Sequence, residues 1–396
     1  MVSAPPPYRV LSLDGGGMRG TYTATYLDQV ARTFARRRGV ETLDIGAGFD
    51  LIVGTSTGGI IACGLAKGVP LGKVIDLYRV HGPSIFSRRL PEGPLGKMIP
   101  RLIADLLNRP AALTEGDTAL RKALQDVLED TTICDIYEQR GIALAITAVE
   151  MSQHRAWVFK TPHFGATNHR DDKYPLVDVC LATSAAPIFR SMASIDHPEG
   201  TKTHHVFVDG GLWANNPVVV GLVEALDVAS PDQPIEIFSL GTCPLPAGEQ
   251  IAREDVHRGL PGWKFGGDAA SLAIDAQQFA YDHMAKKLAS QITKSSGRKC
   301  TVVRFPAEKV PAALIPYLGL DDTRHEAIEA LIRQAQTDAD MTNSKCAYQG
   351  TDPEAALICD LFNAMPPLTD PLFKRPVPLS QGPTAVQPAG KDADDV

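Results

Sequence analysis

Short apolar runs alternate along most of the chain with longer stretches whose apolar residues recur at helical spacing. The short runs predict strands over residues 9–13, 50–53, 142–149, 156–159, 206–209, 235–240 and 301–305. Helical spacing is found over residues 22–34, 60–65, 120–128, 176–185, 218–228, 268–292, 323–337 and 353–362. This alternation predicts a mainly parallel sheet covered by helices on both faces, with active groups gathered at the carboxyl ends of the strands.

The pattern predicts one domain over residues 8–364 without an internal repeat, in which a glycine-rich link beyond residue 245 leads to elements that complete the same domain. Residues 81–113 are expected to form an insertion, since five prolines interrupt an apolar and basic stretch there. Its charge balance suits an anionic lipid surface, while packing against the protein's own core is the alternative. Residues 365–396, rich in proline and ending in acidic residues, are expected to form a disordered tail.

Composition narrows the class of protein. The 396 residues are 44% hydrophobic and carry a formal net charge of -7 without a basic block, which argues against a nucleic acid polymer as partner. Seven widely spaced cysteines without a Cys-x-x-Cys pair are typical of reduced thiols in the cytoplasm, not of a metal site or a disulfide framework. Neither a signal peptide nor a membrane-spanning run is evident, so any membrane contact is expected to be peripheral.

A candidate nucleophile follows the second predicted strand. Ser56 stands in a Gly-x-Ser-x-Gly run, residues 54–58, at the turn into the next helix. A serine on a sharp strand-to-helix turn exposes its hydroxyl, and flanking glycines leave room for an incoming carbonyl. The alternative is a tight turn in which Ser56 only caps the helix.

The first predicted strand ends in a glycine-rich loop, residues 14–20 (DGGGMRG), which has two interpretations. Gly-x-Gly-x-x-Gly between a strand and a helix matches a dinucleotide fingerprint, with Glu41 as the ribose-binding acid, but no clear second strand leads to Glu41. Alternatively, successive glycine amides converge on an oxyanion. Arg19 favours the second interpretation, because a cation in the first turn of a helix opposes the dipole and needs another benefit.

A candidate base follows a later strand. Asp209 ends the strand 206–209, and two glycines leave its carboxylate uncrowded. An aspartate in a dry cleft accepts a proton from a serine when burial raises its basicity, so a Ser-Asp dyad needs no histidine. The alternatives are a purely structural aspartate or a Ser-His-Asp triad. The late histidines available for a triad are His257, His283 and His325.

Four segments together resemble the patatin-like phospholipase family: residues 14–20, 54–58 (GTSTG), 182–187 (ATSAAP) and 209–211 (DGG). The resemblance covers about residues 8–220 in the family's motif order. It implies a three-layer α/β/α sandwich and hydrolysis of lipid acyl esters without a metal or other cofactor. It also implies Ser56 as nucleophile, Asp209 as base, and an oxyanion site formed by the amides of Gly15, Gly16 and Gly17 with Arg19.

A finer resemblance is to bacterial patatins that act as cyclic-dinucleotide-activated effectors of anti-phage defence. It rests on residues 158–163, 206–217 and 238–242. It implies an activator such as cyclic GMP-AMP and degradation of the inner membrane from its cytoplasmic side, and assembly into a homo-oligomer is compatible with it. A constitutive lipase and a nucleotide sensor or storage protein with incidental esterase activity are the alternatives. Lys160, His163, His169 and Arg170 are candidates for phosphate contacts, each with a structural role as the alternative.

Overall fold

The structure is a computed structural model that describes residues 5–89, 95–164, 169–200, 203–243, 251–259, 262–263, 267–306, 310–348 and 352–368. Of these, residues 95–107, 255, 267–268 and 270 are described by their backbone. The predicted tail from residue 369 onward and part of the predicted insertion lie outside the described residues.

One eight-stranded sheet organises the described residues. Its order is β5-β6-β3-β2-β1-β7-β8, with β4 paired to the other edge of β3. Strands β3, β2, β1, β7 and β8 run parallel to one another, whereas β4 and β6 run antiparallel to β3 and β5 runs antiparallel to β6. The strands are β1 (Tyr8–Leu13), β2 (Leu51–Gly54), β3 (Ala143–Glu150), β4 (Arg155–Lys160), β5 (Ala193–Asp196), β6 (His204–Asp209), β7 (Ile235–Leu240) and β8 (Cys300–Phe305).

Helices precede or follow nearly every strand, as the alternating pattern predicted. The α-helices are α1 (Gly20–Arg38), α2 (Thr57–Lys67), α3 (Leu71–Asp76), α4 (Gly82–Ile85), α5 (Leu95–Leu128), α6 (Ile133–Arg140), α7 (Leu176–Thr183), α8 (Gly211–Ala214), α9 (Val218–Val228), α10 (Gly267–Ser296), α11 (His325–Ala347) and α12 (Pro353–Ala364). Short non-α helical turns occur at Gly17–Arg19, Gly46–Gly48, Leu77–His81, Arg253–Val256 and Ala312–Tyr317.

The helices cover both faces of the sheet. Successive strand residues point to opposite faces, and in β1 Leu11 and Leu13 join one apolar cluster while Val10 joins another. The first cluster packs beneath α1, α2, α7, α11 and α12, and the second packs beneath α9 and α10. Tyr22, Phe34 and Phe362 are fully buried in the first. The mainly parallel three-layer α/β/α architecture is therefore confirmed.

The register along β3 brings two distant strand ends together. Strand β2 pairs with the first half of β3, ending at Gly54 opposite Ile146. Strand β6 pairs with the second half, ending at Asp209 opposite Ala148. Because β4 occupies the other edge of β3, β2 and β6 share one edge and run toward each other along it. Their carboxyl ends meet at Thr147, the residue between Ile146 and Ala148.

The structure departs from the predicted elements in several places. Helices α3 and α6 have no counterpart among the predicted helices. The helix expected at 120–128 is the end of a longer helix, α5, which begins inside the expected insertion and continues through Pro110 although a proline removes one backbone donor. Strand β5 has no counterpart among the predicted strands. Met365 is buried and residues 366–368 bond to residues 42–44, so the packed part extends beyond the expected boundary at 364. Within the described residues, no helix has the length and apolarity of a membrane span.

Candidate active site

Ser56 occupies a strained turn between β2 and α2. Its backbone has φ 54° and ψ −124°, in the left-handed region that side-chain-bearing residues rarely adopt. A Cβ on Gly58 would overlap the carbonyl oxygens of Leu13 and Asp14, so only glycine allows α2 to start this close to β1. The Ser56 amide donates to Thr183 Oγ1 over 2.9 Å, which fixes the turn from the α7 side. The sequence thus folds into the tight strand-to-helix turn that its glycines predict.

Asp209 lies beside this serine. Ser56 Oγ donates to Asp209 Oδ2 over 2.6 Å, and the Gly211 amide donates to Asp209 Oδ1 over 2.7 Å. The carboxylate is buried, and burial raises its pKa to about 6, although the Ser56 hydroxyl, the Gly211 amide and the charge of Arg190 act in the opposite direction. A carboxylate with this pKa is mostly ionised at neutral pH and accepts a proton more readily than an ordinary aspartate does.

The glycine-rich loop lies against the serine, since a Cβ on Gly15 would come within 3.2 Å of Ser56 Cβ. The Gly15 carbonyl accepts a hydrogen bond from Thr242 Oγ1 over 3.0 Å. In a trans peptide the next amide points the opposite way, so Gly16 N–H faces away from Thr242. Within the described part of the chain, the amides of Gly16 and Gly17 have no hydrogen-bond acceptor.

The structure corrects the expected donor set at Gly15. Its amide donates to the Asn215 carbonyl over 2.9 Å and is therefore already used. Asn215 thus fixes the glycine-rich loop to the strand-end loop that carries Asp209. The donors available for an oxyanion are consequently Gly16 and Gly17.

Arg19 holds the glycine-rich loop through both its side chain and its backbone amide. Its Nε donates to the Gly16 carbonyl over 3.4 Å, and its backbone amide donates to the same oxygen over 3.1 Å. The guanidinium is buried, and burial lowers its pKa, while the neighbouring acidic groups of Cys243, Asp275 and Asp14 act in the opposite direction. By holding the Gly16 carbonyl, Arg19 orients the peptide whose other end is the Gly17 amide.

Asp14 anchors the start of the loop from a fully buried position. Its carboxylate accepts hydrogen bonds from Arg304 on β8 and Gln278 on α10. Burial raises the pKa of Asp14, and the charge of Arg304 acts against that rise. The glycine-rich loop is therefore bonded to several separate parts of the chain.

The remaining predicted site residues lie elsewhere. Glu41 is exposed in the loop between α1 and β2 and ends no strand, so the dinucleotide fingerprint lacks its acid. His257, His283 and His325 are all exposed, whereas Ser56 and Asp209 are buried. Neither member of the buried pair hydrogen-bonds to any of these histidines, which argues against a Ser-His-Asp triad.

The four candidates for phosphate contacts are all engaged within the protein. Lys160 and His163 both pair with Glu224 on α9, at 2.5 and 3.4 Å. His169 Nδ1 lies 2.7 Å from Asp172. Arg170 pairs with Asp171 and covers the ring of Trp157 at 3.8 Å. These contacts favour the structural role for each of the four.

Comparison with known proteins identifies the family that this site belongs to. The family model described as patatin-like phospholipase matches residues 11–222, a segment that includes Ser56, Asp209 and the glycine-rich loop. The chain is a patatin-like phospholipase. The family and the named relatives below indicate a lipid-hydrolysing enzyme, as the four motifs predicted.

Three relatives share the name "cGAMP-activated phospholipase". The protein of Pseudomonas aeruginosa (strain BWHPSA011 / Pa011) is 33% identical over 285 residues, 71% of this chain and 75% of the relative. The protein of Vibrio cholerae serotype O1 (strain ATCC 39315 / El Tor Inaba N16961) is 34% identical over 257 residues, 60% of this chain and 67% of the relative. The protein of Escherichia coli (strain TW11681) is 35% identical over 246 residues, 60% of this chain and 62% of the relative.

Two features of this patatin-like phospholipase site escaped sequence reasoning. Arg190 is buried near Asp209, but it follows the predicted helix 176–185 without any motif of its own. Thr183 Oγ1 accepts a hydrogen bond from the Ser56 amide. Its motif (ATSAAP) indicated the family but not this contact. A spatial role for either residue depends on strand order, which periodicity does not specify.

Proposed function

We propose that this patatin-like phospholipase releases fatty acids from membrane phospholipids through a Ser56-Asp209 dyad. The observation that carries the proposal is the 2.6 Å hydrogen bond from Ser56 Oγ to Asp209 Oδ2 in a buried setting. The amides of Gly16 and Gly17 lie in the loop against Ser56 and have no acceptor among the described residues.

The geometry supports a two-step acyl transfer. Asp209 Oδ2 takes the hydroxyl proton as Ser56 Oγ attacks the ester carbonyl, and the amides of Gly16 and Gly17 stabilise the resulting oxyanion. When the tetrahedral intermediate collapses, Asp209 returns the proton to the departing lysophospholipid oxygen. Asp209 then activates a water that attacks the acyl-serine ester, and the fatty acid leaves. Arg19 contributes by holding the Gly16 carbonyl, so its role is to position the oxyanion donors.

We further propose that the enzyme acts peripherally at the cytoplasmic face of the inner membrane. Two segments that hydrogen-bond to Asp209 expose apolar side chains: in the turn after α7, Ile188 and Met192 are each 59% exposed, and in α8, Leu212 is 48% exposed. Such a rim would lose unfavourable contact with water when it meets lipid. Among the described side chains of the predicted insertion, Arg89 pairs with Asp322.

A cyclic dinucleotide such as cyclic GMP-AMP is the activator that we propose. Support comes from the relatives, three of which carry a name that includes activation by cGAMP. The four candidate phosphate contacts are all internally paired, so the proposal assigns the activator no binding residues.

The test of the chemistry uses vesicles of phosphatidylethanolamine and phosphatidylglycerol. We expect the wild-type protein to release fatty acid in the presence of cyclic GMP-AMP, and Ser56→Ala and Asp209→Asn to release less than a thousandth as much with unchanged circular dichroism. Ser194→Ala, at a residue of β5, is the matched serine control. Retained turnover in Ser56→Ala would exclude the dyad, and a large loss in His257→Ala, His283→Ala or His325→Ala would favour a triad.

The test of activation compares fatty acid release without nucleotide, with cyclic GMP-AMP and with cyclic di-GMP. Release only with cyclic GMP-AMP supports the proposal. Equal release in all three conditions would leave a constitutive lipase. Calorimetric binding of cyclic GMP-AMP without any stimulated release would identify a sensor with incidental esterase activity. Light scattering on the same samples measures the number of subunits with and without nucleotide.

A further inference from the structure

A strained turn connects α7 to β5 beside the base. The Asp209 amide donates to the Ala185 carbonyl over 3.0 Å, and the Arg190 amide closes the turn by donating to the Ala186 carbonyl over 2.9 Å. Between them, Ile188 has φ 75°, which is costly for a β-branched residue. Its side chain is exposed, so packing of that side chain does not account for the strain. The turn places the side chain of Arg190 in the protein interior.

Arg190 carries a buried charge with few partners. Its side chain is 3% exposed, and its Nη2 lies 3.2 Å from Asp117 Oδ1 on α5. Its Nε has no hydrogen-bond partner among the residues that the structure describes. Burial lowers the pKa of Arg190, and the charges of Asp117 and Asp209 act against that lowering. A guanidinium is costly to bury with one ion pair, so its retention at this position indicates a benefit beyond packing.

We infer that Arg190 is a positioning residue for the dyad: it is the electrostatic partner that favours the ionised Asp209 carboxylate, and Asp117 moderates it. This inference rests on the proposed role of Asp209 as the base. Ser56 and Gly211 supply hydrogen bonds to the carboxylate, and among the described residues Arg190 supplies the positive charge that favours its ionised form. Asp117 draws the guanidinium toward α5 and neutralises part of its field.

The charged and polar groups around Asp209 and Arg190 determine how a substitution changes the ionisation of Asp209. Asp209 is faced by the Ser56 hydroxyl from the turn before α2, the Gly211 amide from α8 and the Arg190 guanidinium from the turn after α7. Arg190 is faced by Asp117 from α5 and by Asp209. Removing Arg190 and removing Asp117 should therefore move the ionisation of Asp209 in opposite directions.

The experiment measures kcat/KM against pH in the presence of saturating cyclic GMP-AMP, with a short-chain soluble ester, p-nitrophenyl butyrate, so that membrane binding does not enter. Arg190→Met should move the acid limb of the profile upward by about 1 pH unit, which is a loss of about tenfold on that limb. Arg190→Lys, which keeps the charge, should restore most of the wild-type position. Asp117→Asn should leave the limb in place or move it downward.

Ile188→Gly is the control for the backbone, because glycine adopts the same φ without strain and Arg190 is retained. Its acid limb should coincide with that of the wild type. If Arg190 has a purely structural role, Arg190→Met and Asp117→Asn should lower stability and leave the acid limb of each kcat/KM profile at the wild-type pH. That result would overturn the inference.

An upward shift of the acid limb by about 1 pH unit in Asp117→Asn would also overturn the inference. This measurement does not depend on whether Arg190→Met folds. Failure of the dyad itself is recognised separately, because Asp209→Asn would then keep its activity whatever the Arg190 variants do.

Discussion

Thr55 and Thr147 meet where the two catalytic strand ends converge, with their hydroxyl oxygens 2.7 Å apart. Thr55 Oγ1 also donates to the Ala214 carbonyl in the loop after Asp209. A Cβ on Gly210 would overlap Thr147 Oγ1, so this loop passes directly over the threonine. The hydroxyl pair therefore links the strand that leads to Ser56 with the loop that carries Asp209.

Thr147→Val tests this link, because valine has the same shape and lacks the hydroxyl. Loss of one buried hydrogen bond should lower the free energy of unfolding by about 1 kcal/mol. Since a displacement of a fraction of an ångström weakens proton transfer, kcat should fall about tenfold with KM nearly unchanged. Thr118→Val on α5, where the hydroxyl bonds only to its own helix, is the control. Equal kcat values for the two variants would contradict the expectation.

The pH dependence of hydrolysis follows from the buried base. Burial raises the pKa of Asp209 to about 6, and the reaction requires its ionised form. We expect kcat/KM to be constant between pH 7 and 8 and to fall about tenfold per pH unit below 6. Stopped assays with a soluble ester over this range check the expectation. An acid limb near pH 4, close to the pKa of an ordinary aspartate, would mean that water reaches the Asp209 carboxylate.

The same buried carboxylate should cost stability at neutral pH. Its folded-state pKa of about 6 is above its ordinary value of 3.8, so the stability that it contributes is present below 3.8 and is lost as pH rises through about 6. Asp209→Asn removes the charge and should therefore raise the free energy of unfolding at pH 8, by at most about 3 kcal/mol. Urea unfolding at pH 8 and pH 4 checks this, because the advantage should vanish at the lower pH.

Gly15→Ala should abolish activity at modest cost to the fold. The added methyl group would overlap Asn215 Oδ1 and lie 3.2 Å from Ser56 Cβ, displacing the loop that carries the oxyanion donors. We expect a loss of kcat of at least a hundredfold, since each such donor contributes about 2.7–4 kcal/mol to the transition state. Gly72→Ala in α3 is the matched control, because nothing lies within 4 Å of its added methyl group. That variant should keep full activity and gain about 0.5–1 kcal/mol of stability.

Much of what the sequence predicted correctly depends on residues that are close together in the chain. The strand-turn-helix settings of Ser56 and Asp209 depend on residues within ten positions of each, so the sheet class and both candidate residues could be proposed from sequence. What the sequence did not predict depends on long-range pairing. The use of the Gly15 amide by Asn215 joins residues 200 positions apart, and the burial of Arg190 near Asp209 depends on α5 and the turn after α7. Strand β5, with exposed residues at alternate positions, lacks the apolar run that marked the others.

Helix α10 touches both halves of the catalytic apparatus through consecutive residues. Gln277 accepts from the Asn215 amide over 2.8 Å and bonds to the Leu212 carbonyl, while Gln278 donates to Asp14. The next residue, Phe279, is 78% exposed. Because Gln277 and Gln278 are adjacent on α10, this helix is bonded both to the segment that follows Asp209 and to Asp14, where the glycine-rich loop begins. The two loops that meet at Ser56 and Asp209 therefore share one support.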